Sequence, residues 1–206
     1  NCVPDIGFLH TGIEKTHEGK TYTKGIPLTD RIDYLAPLSN NLAYIGCVEK
    51  MLGLDVPLRA QYIRVILLEL TRMNSHLVWL GTHALDIGAL SMFLYCMRER
   101  EMILDVYELV AGARMMTSYF RVGGLWRDIP SGFAELVQKV LDVFPERLLE
   151  YENLLKENPI WKERTIGVGV VNKADAIAFG MTGPSLRGSG VNYDVRKAYP
   201  YSSYDH

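Results

Sequence analysis

No proline interrupts the chain between Pro57 and Gly88, and the run LRAQYIRVILLELTRMNSHLVWLGTHALD is rich in good helix formers. Gly81 is its only weak point. Proline suits a first helical turn and glycine the residue just past the end, so the pair predicts one long helix from Pro57 to Gly88. At about 100° per residue, Arg64, Glu69, Arg72, His76, His83 and Asp86 fall within about 140° of one another. Ile63, Ile66, Leu67, Leu70 and Leu77 occupy the opposite side. A chain organised around such an amphipathic helix must supply further helices to cover its apolar side.

Those helices are legible on either side. Leu9–Tyr22 reads as a short charged helix, broken by Gly25-Ile-Pro27. Pro37 opens another, with Ala43, Cys47, Val48 and Met51 on its apolar face and Gly53 at its close. A fourth is expected over Met92–Ala113, followed by an extended or strand segment over Ser118–Gly124. Ser131 is a suitable N-cap for a fifth helix reaching Leu155, with Pro145 as a possible kink. The last stretch alternates short apolar runs such as IGVGVV with glycine turns, with one short helix over Ala174–Phe179. The expected fold is mainly α: a helical bundle over residues 1–156 and a small mixed α/β appendage over 157–206. An opening without Met and an end among turn formers suggest that both termini are cuts inside a longer protein.

Composition narrows the function. The chain has 206 residues, 48% hydrophobic and 22% charged, the balance of an ordinary globular domain or two small ones. A net charge of -2 without a basic stripe argues against a nucleic-acid surface. Cys2, Cys47 and Cys96 are isolated from one another, so no zinc knuckle or iron–sulfur loop is indicated and no metal site is expected. The greasiest region, Met73–Met97, carries His76, His83 and Asp86 and is broken by Gly81 and Gly88, unlike a membrane span. Asn1–Lys20 has no signal-peptide pattern.

Two positions invite chemistry. From His76 to Asp86 the neighbours are apolar on nearly every side, and a carboxylate in such surroundings needs a partner or becomes neutral. His83, three residues from Asp86, could face it, as a structural ion pair or as a functional one. His76 and His83 lie two turns apart, ~10 Å along the axis, too far to share an ion unaided. Tyr34, in the DRIDYL link, is either an ordinary exposed loop tyrosine or a neutral phenol able to donate to a carbonyl oxygen. The glycines of LRGSGV are not followed by a helix and make a weak phosphate-loop match.

The strings PDIGFLHTGIEKT, IPLTDRIDYLAPLSNNLAY, VPLRAQYIRVILLELTRMNSHL, HALDIGAL, FRVGGLWRDIP and LRGSGVNYDVRKAYPYSSYD, in this order, closely resemble the D (49-kDa) subunit family of NADH–quinone oxidoreductase, respiratory complex I. The resemblance implies a fold related to the nickel–iron hydrogenase large subunit, without its metal. It implies a proton-pumping assembly, peripheral on the cytoplasmic face of a bacterial membrane, in which this chain contacts the B, C and membrane H subunits. Quinone would be the substrate, reduced by electrons from a terminal [4Fe–4S] cluster held in the B subunit, with no cofactor bound by this chain alone. Tyr34 would hydrogen-bond the quinone headgroup, and Asp86 would pair with a histidine in an upstream segment outside this chain. Thr11 and Arg114 would lie near the cluster, with Thr11 where some members carry Arg. Met116 would lie there too, where many members carry His. The competing reading is the large subunit of an energy-converting hydrogenase. A helical scaffold without a catalytic role would leave Tyr34 and Asp86 as ordinary residues.

Overall fold

A computed structural model describes residues 2–205. The chain is mainly helical, and its described elements are α1 (Ile13–Glu18), α2 (Tyr22–Thr29), α3 (Pro37–Leu52), α4 (Leu58–Ile87), α5 (Leu90–Ala111), β1 (Phe120–Arg121), β2 (Gly124–Leu125), α6 (Phe133–Leu155), α7 (Pro159–Thr165), α8 (Lys173–Ala178), α9 (Gly183–Gly188) and α10 (Val195–Ala198).

The long helix forms as its sequence predicts. Pro57 caps α4, and Gly88, at φ 108°, ends it while its N–H satisfies the carbonyls of Ala84 and Leu85. A two-residue connection then reverses the chain into α5, which packs antiparallel along α4. The register is visible at two levels: Tyr107 Oη donates to Thr71 Oγ1 at 2.7 Å, and Gly81 faces Cys96. A Cβ at Gly81 would lie 3.2 Å from Cys96 Cβ and 3.3 Å from Phe93 Cα, so the glycine allows the helices to approach closely. The core runs along this pair, with Leu67, Leu70, Leu77 and Ala84 from α4 meeting Met92, Cys96, Ile103, Val106 and Val110 from α5. Helix α6 packs on α5, contributing Val140, Tyr151 and Leu155. Helix α3, opened by Pro37 and closed by Gly53 at φ 62°, packs on α2, α4 and β1.

Three expectations are corrected. The Gly25-Ile-Pro27 stretch lies inside α2 rather than ending a helix, and the region expected as one helix over Leu9–Tyr22 holds only α1. Packing overrides the local signal, because Gly25, Ile26 and Thr29 are buried. Ser131 is not the cap of α6; Gly132, at φ 88°, precedes the first turn. The C-terminal stretch is not mixed α/β: its described residues form α7–α10 with no strand. The one described sheet is the antiparallel β1–β2 hairpin, Phe120 opposite Leu125, within the expected Ser118–Gly124 segment. Gly167 and Gly169, at φ 75° and 63°, turn the backbone out of the extended conformation that IGVGVV would need to pair.

The C-terminal stretch is tied back onto α4 by polar contacts. Glu69 accepts hydrogen bonds from Arg72, from Arg196 at 3.2 Å and from Tyr204 Oη, while Asp194 chelates Arg196. Burial alone would push the Glu69 carboxyl up, but these donors outweigh it and hold it below its ordinary value. At the other end of α4, Arg164 donates to the carbonyl of Ile87.

Candidate functional site

The DRIDYL link joins α2 to α3. Its first residue, Asp30, is wholly buried and accepts from three donors. Asn41 Nδ2 on α3 donates to its Oδ1 at 2.6 Å, and the backbone N–H of Ser118, at 3.1 Å, and the Ser118 hydroxyl donate to its Oδ2. Burial pushes the Asp30 carboxyl above its ordinary value, and the bonds from Ser118 and Asn41 pull against that. Asn41 also reaches Thr29 Oγ1 at 2.9 Å, and Thr29 Oγ1 donates to Ile26 O. Downstream, Asp33 closes the link: its carboxylate accepts from Leu35 N–H and its carbonyl from Asn40 Nδ2 at 2.8 Å. Tyr34 sits on this braced link with its side chain half exposed.

Ser118 brings a second predicted group to the same place. It follows Met116 by two residues, in the segment between α5 and β1. Its φ of 44° is a left-handed conformation that residues other than glycine rarely adopt. Met116 is partly buried there, while Arg114 points back to α5 and forms ion pairs with Asp105 and Glu108 at 2.9 Å and with Glu101. Those carboxylates raise the Arg114 pKa further above its ordinary value.

The other predicted residues lie elsewhere. Thr11 is exposed in the segment before α1. Asp86 is exposed near the end of α4, so the apolar surroundings read from its sequence neighbours are not realised around it. Residues at adjacent positions on a helix point to different sides: Leu77 and Ala84 turn inward, while Trp79 and Leu85 are exposed like Asp86. Among the described residues, no hydrogen bond joins Asp86 to His83 or to Tyr34. His83 stacks instead on Trp79, with ring centroids 5.6 Å apart, and meets the edge of Trp161 at 6.2 Å. His76, on the same stripe, has its pKa lowered by burial and by the charges of Arg72 and Arg187. No cluster of three or more His, Cys, Asp or Glu able to hold a metal occurs among the described residues.

Sequence reasoning missed Asp30 and Arg64. Arg64, placed on the polar stripe, is only 2% exposed. It donates to Glu49 at 2.7 and 3.1 Å and to the carbonyls of Arg121 and Gly124 at 2.8 and 2.9 Å. Glu49 in turn accepts from Gly123 N–H at 2.8 Å, so the pair fastens the hairpin to α3 and α4. The pair also borders an open cleft of about 610 Å³ between α3 and α4, lined on its far side by Tyr201 and Ser202. A second, more apolar cavity of about 530 Å³ lies between α4 and α6, lined by His76, Trp79, Phe144, Leu148 and Tyr151 among others. No sequence signal marks either buried acid, because both partners come from distant segments.

Similarity to known proteins matches this arrangement of motifs. Residues 86–206 match the family described as the respiratory-chain NADH dehydrogenase 49 Kd subunit. The chain is 63% identical over 205 residues to an NADH-quinone oxidoreductase D subunit of Chloroflexus aurantiacus, covering 100% of this chain and 50% of that one. It is 64% identical over 202 residues to a D subunit of Herpetosiphon aurantiacus, covering 98% and 48%. It is 61% identical over 202 residues to the D subunit of Geotalea uraniireducens, covering 98% and 52%. The chain thus spans about half the length of the curated relatives it matches. With identity this high along essentially its whole length, the chain belongs to the family of the 49-kDa, or D, subunit of NADH–quinone oxidoreductase.

Proposed function

We propose that this chain is the central part of a complex I subunit that forms, with the neighbouring B subunit, the site where quinone is reduced. The observation that carries the reading is Tyr34: a half-exposed phenol on a link braced at both ends by Asp30 and Asp33. A phenol hydroxyl can donate a hydrogen bond to a carbonyl oxygen. Reduction to quinol adds two electrons and two protons, one proton to each carbonyl oxygen. A [4Fe–4S] cluster held in the B subunit would supply the electrons one at a time. Tyr34 holds one oxygen in place while charge develops on it, and such a donor is worth most where water is excluded. Asp86, exposed here with its carboxylate hydrogen-bonded to none of the described residues, is available to a histidine from outside the chain and would hold that imidazole protonated.

The kinship with nickel–iron hydrogenase large subunits, the docking on the B, C and membrane H subunits, and the position on the cytoplasmic face belong to the same proposal. None of the described helices is long and apolar enough to cross a membrane, which fits a peripheral subunit. The test is Tyr34→Phe in the assembled complex. Loss of one hydrogen bond, about 1 kcal/mol and more in a dry site, slows quinone reduction while electron transfer from the donor to an artificial acceptor is unchanged. Normal quinone kinetics in that variant rule the role out.

A further inference from the structure

The polar contacts around Asp30 join two segments far apart in sequence. Its Oδ2 holds Ser118 by both the backbone N–H and the hydroxyl, and its Oδ1 holds Asn41 on α3. Arg121 reinforces the same spot, donating to the carbonyl of Ser118 and, at 3.0 Å, to that of Phe120. The charged groups facing Asp30 are Arg31, 4.0 Å away, and Arg121. Four residues after Asp30 comes Tyr34; two residues before Ser118 comes Met116.

We propose that Asp30 is a positioning residue that fixes the Tyr34 link against the Met116 segment, so that one buried carboxylate sets the quinone-side phenol and the cluster-side residue relative to each other. This rests on the proposed quinone site. The physical argument is that Asp33 and Arg121 hold each segment separately, whereas Asp30 is the side chain that bonds to both sides at once. Tyr34 is half exposed, so the backbone of its link, rather than packing of its own ring, decides where the hydroxyl points. Ser118 occupies a left-handed conformation that a serine leaves unless something holds it, and two of its groups donate to Asp30. Letting go of Asp30 therefore uncouples the two segments from each other while Asp33 and Arg121 still hold each one locally. The carboxylate accepts on both sides at once; an amide at the same position can still accept from Ser118, but it meets Asn41 Nδ2 with its own N–H2 unless Asn41 turns and gives up its bond to Thr29 Oγ1, so it keeps only part of the junction.

The experiment uses Asp30→Ala, Asp30→Asn and Ser118→Ala in the full-length subunit within the assembled complex. The expected result for Asp30→Ala is a rise in the quinone KM of about tenfold, the scale of one or two buried hydrogen bonds. A shift in the electron paramagnetic resonance lines of the terminal cluster accompanies it, with transfer to an artificial acceptor unchanged. Asp30→Asn, which keeps the bonds from Ser118, and Ser118→Ala, which keeps the backbone N–H bond, both move the two readouts in the direction of Asp30→Ala by smaller factors. If Asp30→Ala does not assemble, Ser118→Ala decides. Parent-like KM and parent-like resonance lines in the alanine variants overturn the positioning role, as does a KM change with an unmoved cluster spectrum. Tyr34→Phe measured beside them separates the two ideas: normal kinetics there defeat the quinone-site reading, whereas an impaired Tyr34→Phe with silent Asp30 and Ser118 variants defeats the positioning role alone.

Discussion

Replacing Arg64 by Ala removes one half of a buried ion pair and leaves the other half in place. The side chain is 2% exposed and that of Glu49 9%, so neither charge has water to fall back on. The substitution strips Glu49 of two bonds and the carbonyls of Arg121 and Gly124 of one each. Breaking a buried pair from one side costs about 3–5 kcal/mol, because an uncompensated charge is left behind. At roughly 1–2 °C per kcal/mol for a subunit about twice the length of this chain, the melting temperature falls by roughly 3–10 °C. The assay is urea or thermal unfolding of the full-length subunit, with hydrogen exchange read at the β1–β2 hairpin, which loosens first. The double variant Arg64→Met/Glu49→Leu recovers much of the loss, since apolar replacements remove both desolvation costs at once. A loss below about 1 kcal/mol for Arg64→Ala, or a double variant as unstable as the single, refutes the reasoning.

Asp86→Asn keeps the shape of the side chain but, on the proposed reading, removes the charge that holds an external imidazole protonated, so the pH–rate profile moves towards acid; an unmoved profile with full activity marks Asp86 as structural. Gly25→Ala destabilises the fold, despite alanine's better helix propensity, by about 1–3 kcal/mol, because a Cβ there collides with the His17 ring and lies 2.9 Å from Tyr44 Oη; denaturant titration measures it. Cys2 and Cys47 are exposed and Cys96 is buried with its thiol pushed up to about 11, so a thiol reagent labels the first two and reaches Cys96 only after unfolding, as mass spectrometry of the labelled peptides shows. The Glu69 carboxyl is held below its unfolded value, so its stabilising contribution is present above pH 4.5 and lost as pH falls through the lowered folded value; the melting-temperature gap between the parent and Glu69→Gln narrows accordingly on acidification. On the expectation from the family resemblance that Met116 would lie near the terminal cluster, a thioether that takes up no proton leaves that cluster's potential nearly flat through neutral pH, and Met116→His introduces a slope towards ~59 mV per pH unit, the one-electron, one-proton limit; redox titration at several pH values distinguishes the two.

Where local chemistry was enough, the elements could be read directly. Pro57, Gly88, Pro37 and Gly53 bound α4 and α3 because proline at a helix start and left-handed glycine past its end act within one turn of backbone. The alternation failed at IGVGVV, where a strand-like composition met glycines at positive φ. It failed again at Gly25 and Pro27, where burial of Gly25 and Ile26 keeps a helix that the local residues disfavour. On the site, the motif around Tyr34 was legible as a link carrying a phenol, whereas the group that braces it was not. Asp30 looked like one of several alternating charges, and only its distant partner Ser118 makes it a buried acceptor.

The sequence by itself determined the long helix, the helical character of the chain and its family, since periodicity, end signals and motif strings are all local properties of the chain. Tertiary structure alone decided that Arg64 leaves the polar stripe for the interior, that Asp86 is exposed, and that the Tyr34 link is pinned beside the Met116 segment. Each of these depends on contacts between residues separated by 57 or 88 positions or on which flank of a helix its neighbours cover. A buried charge is tolerable only where partners from elsewhere in the chain meet it, and that meeting is not encoded at any one position.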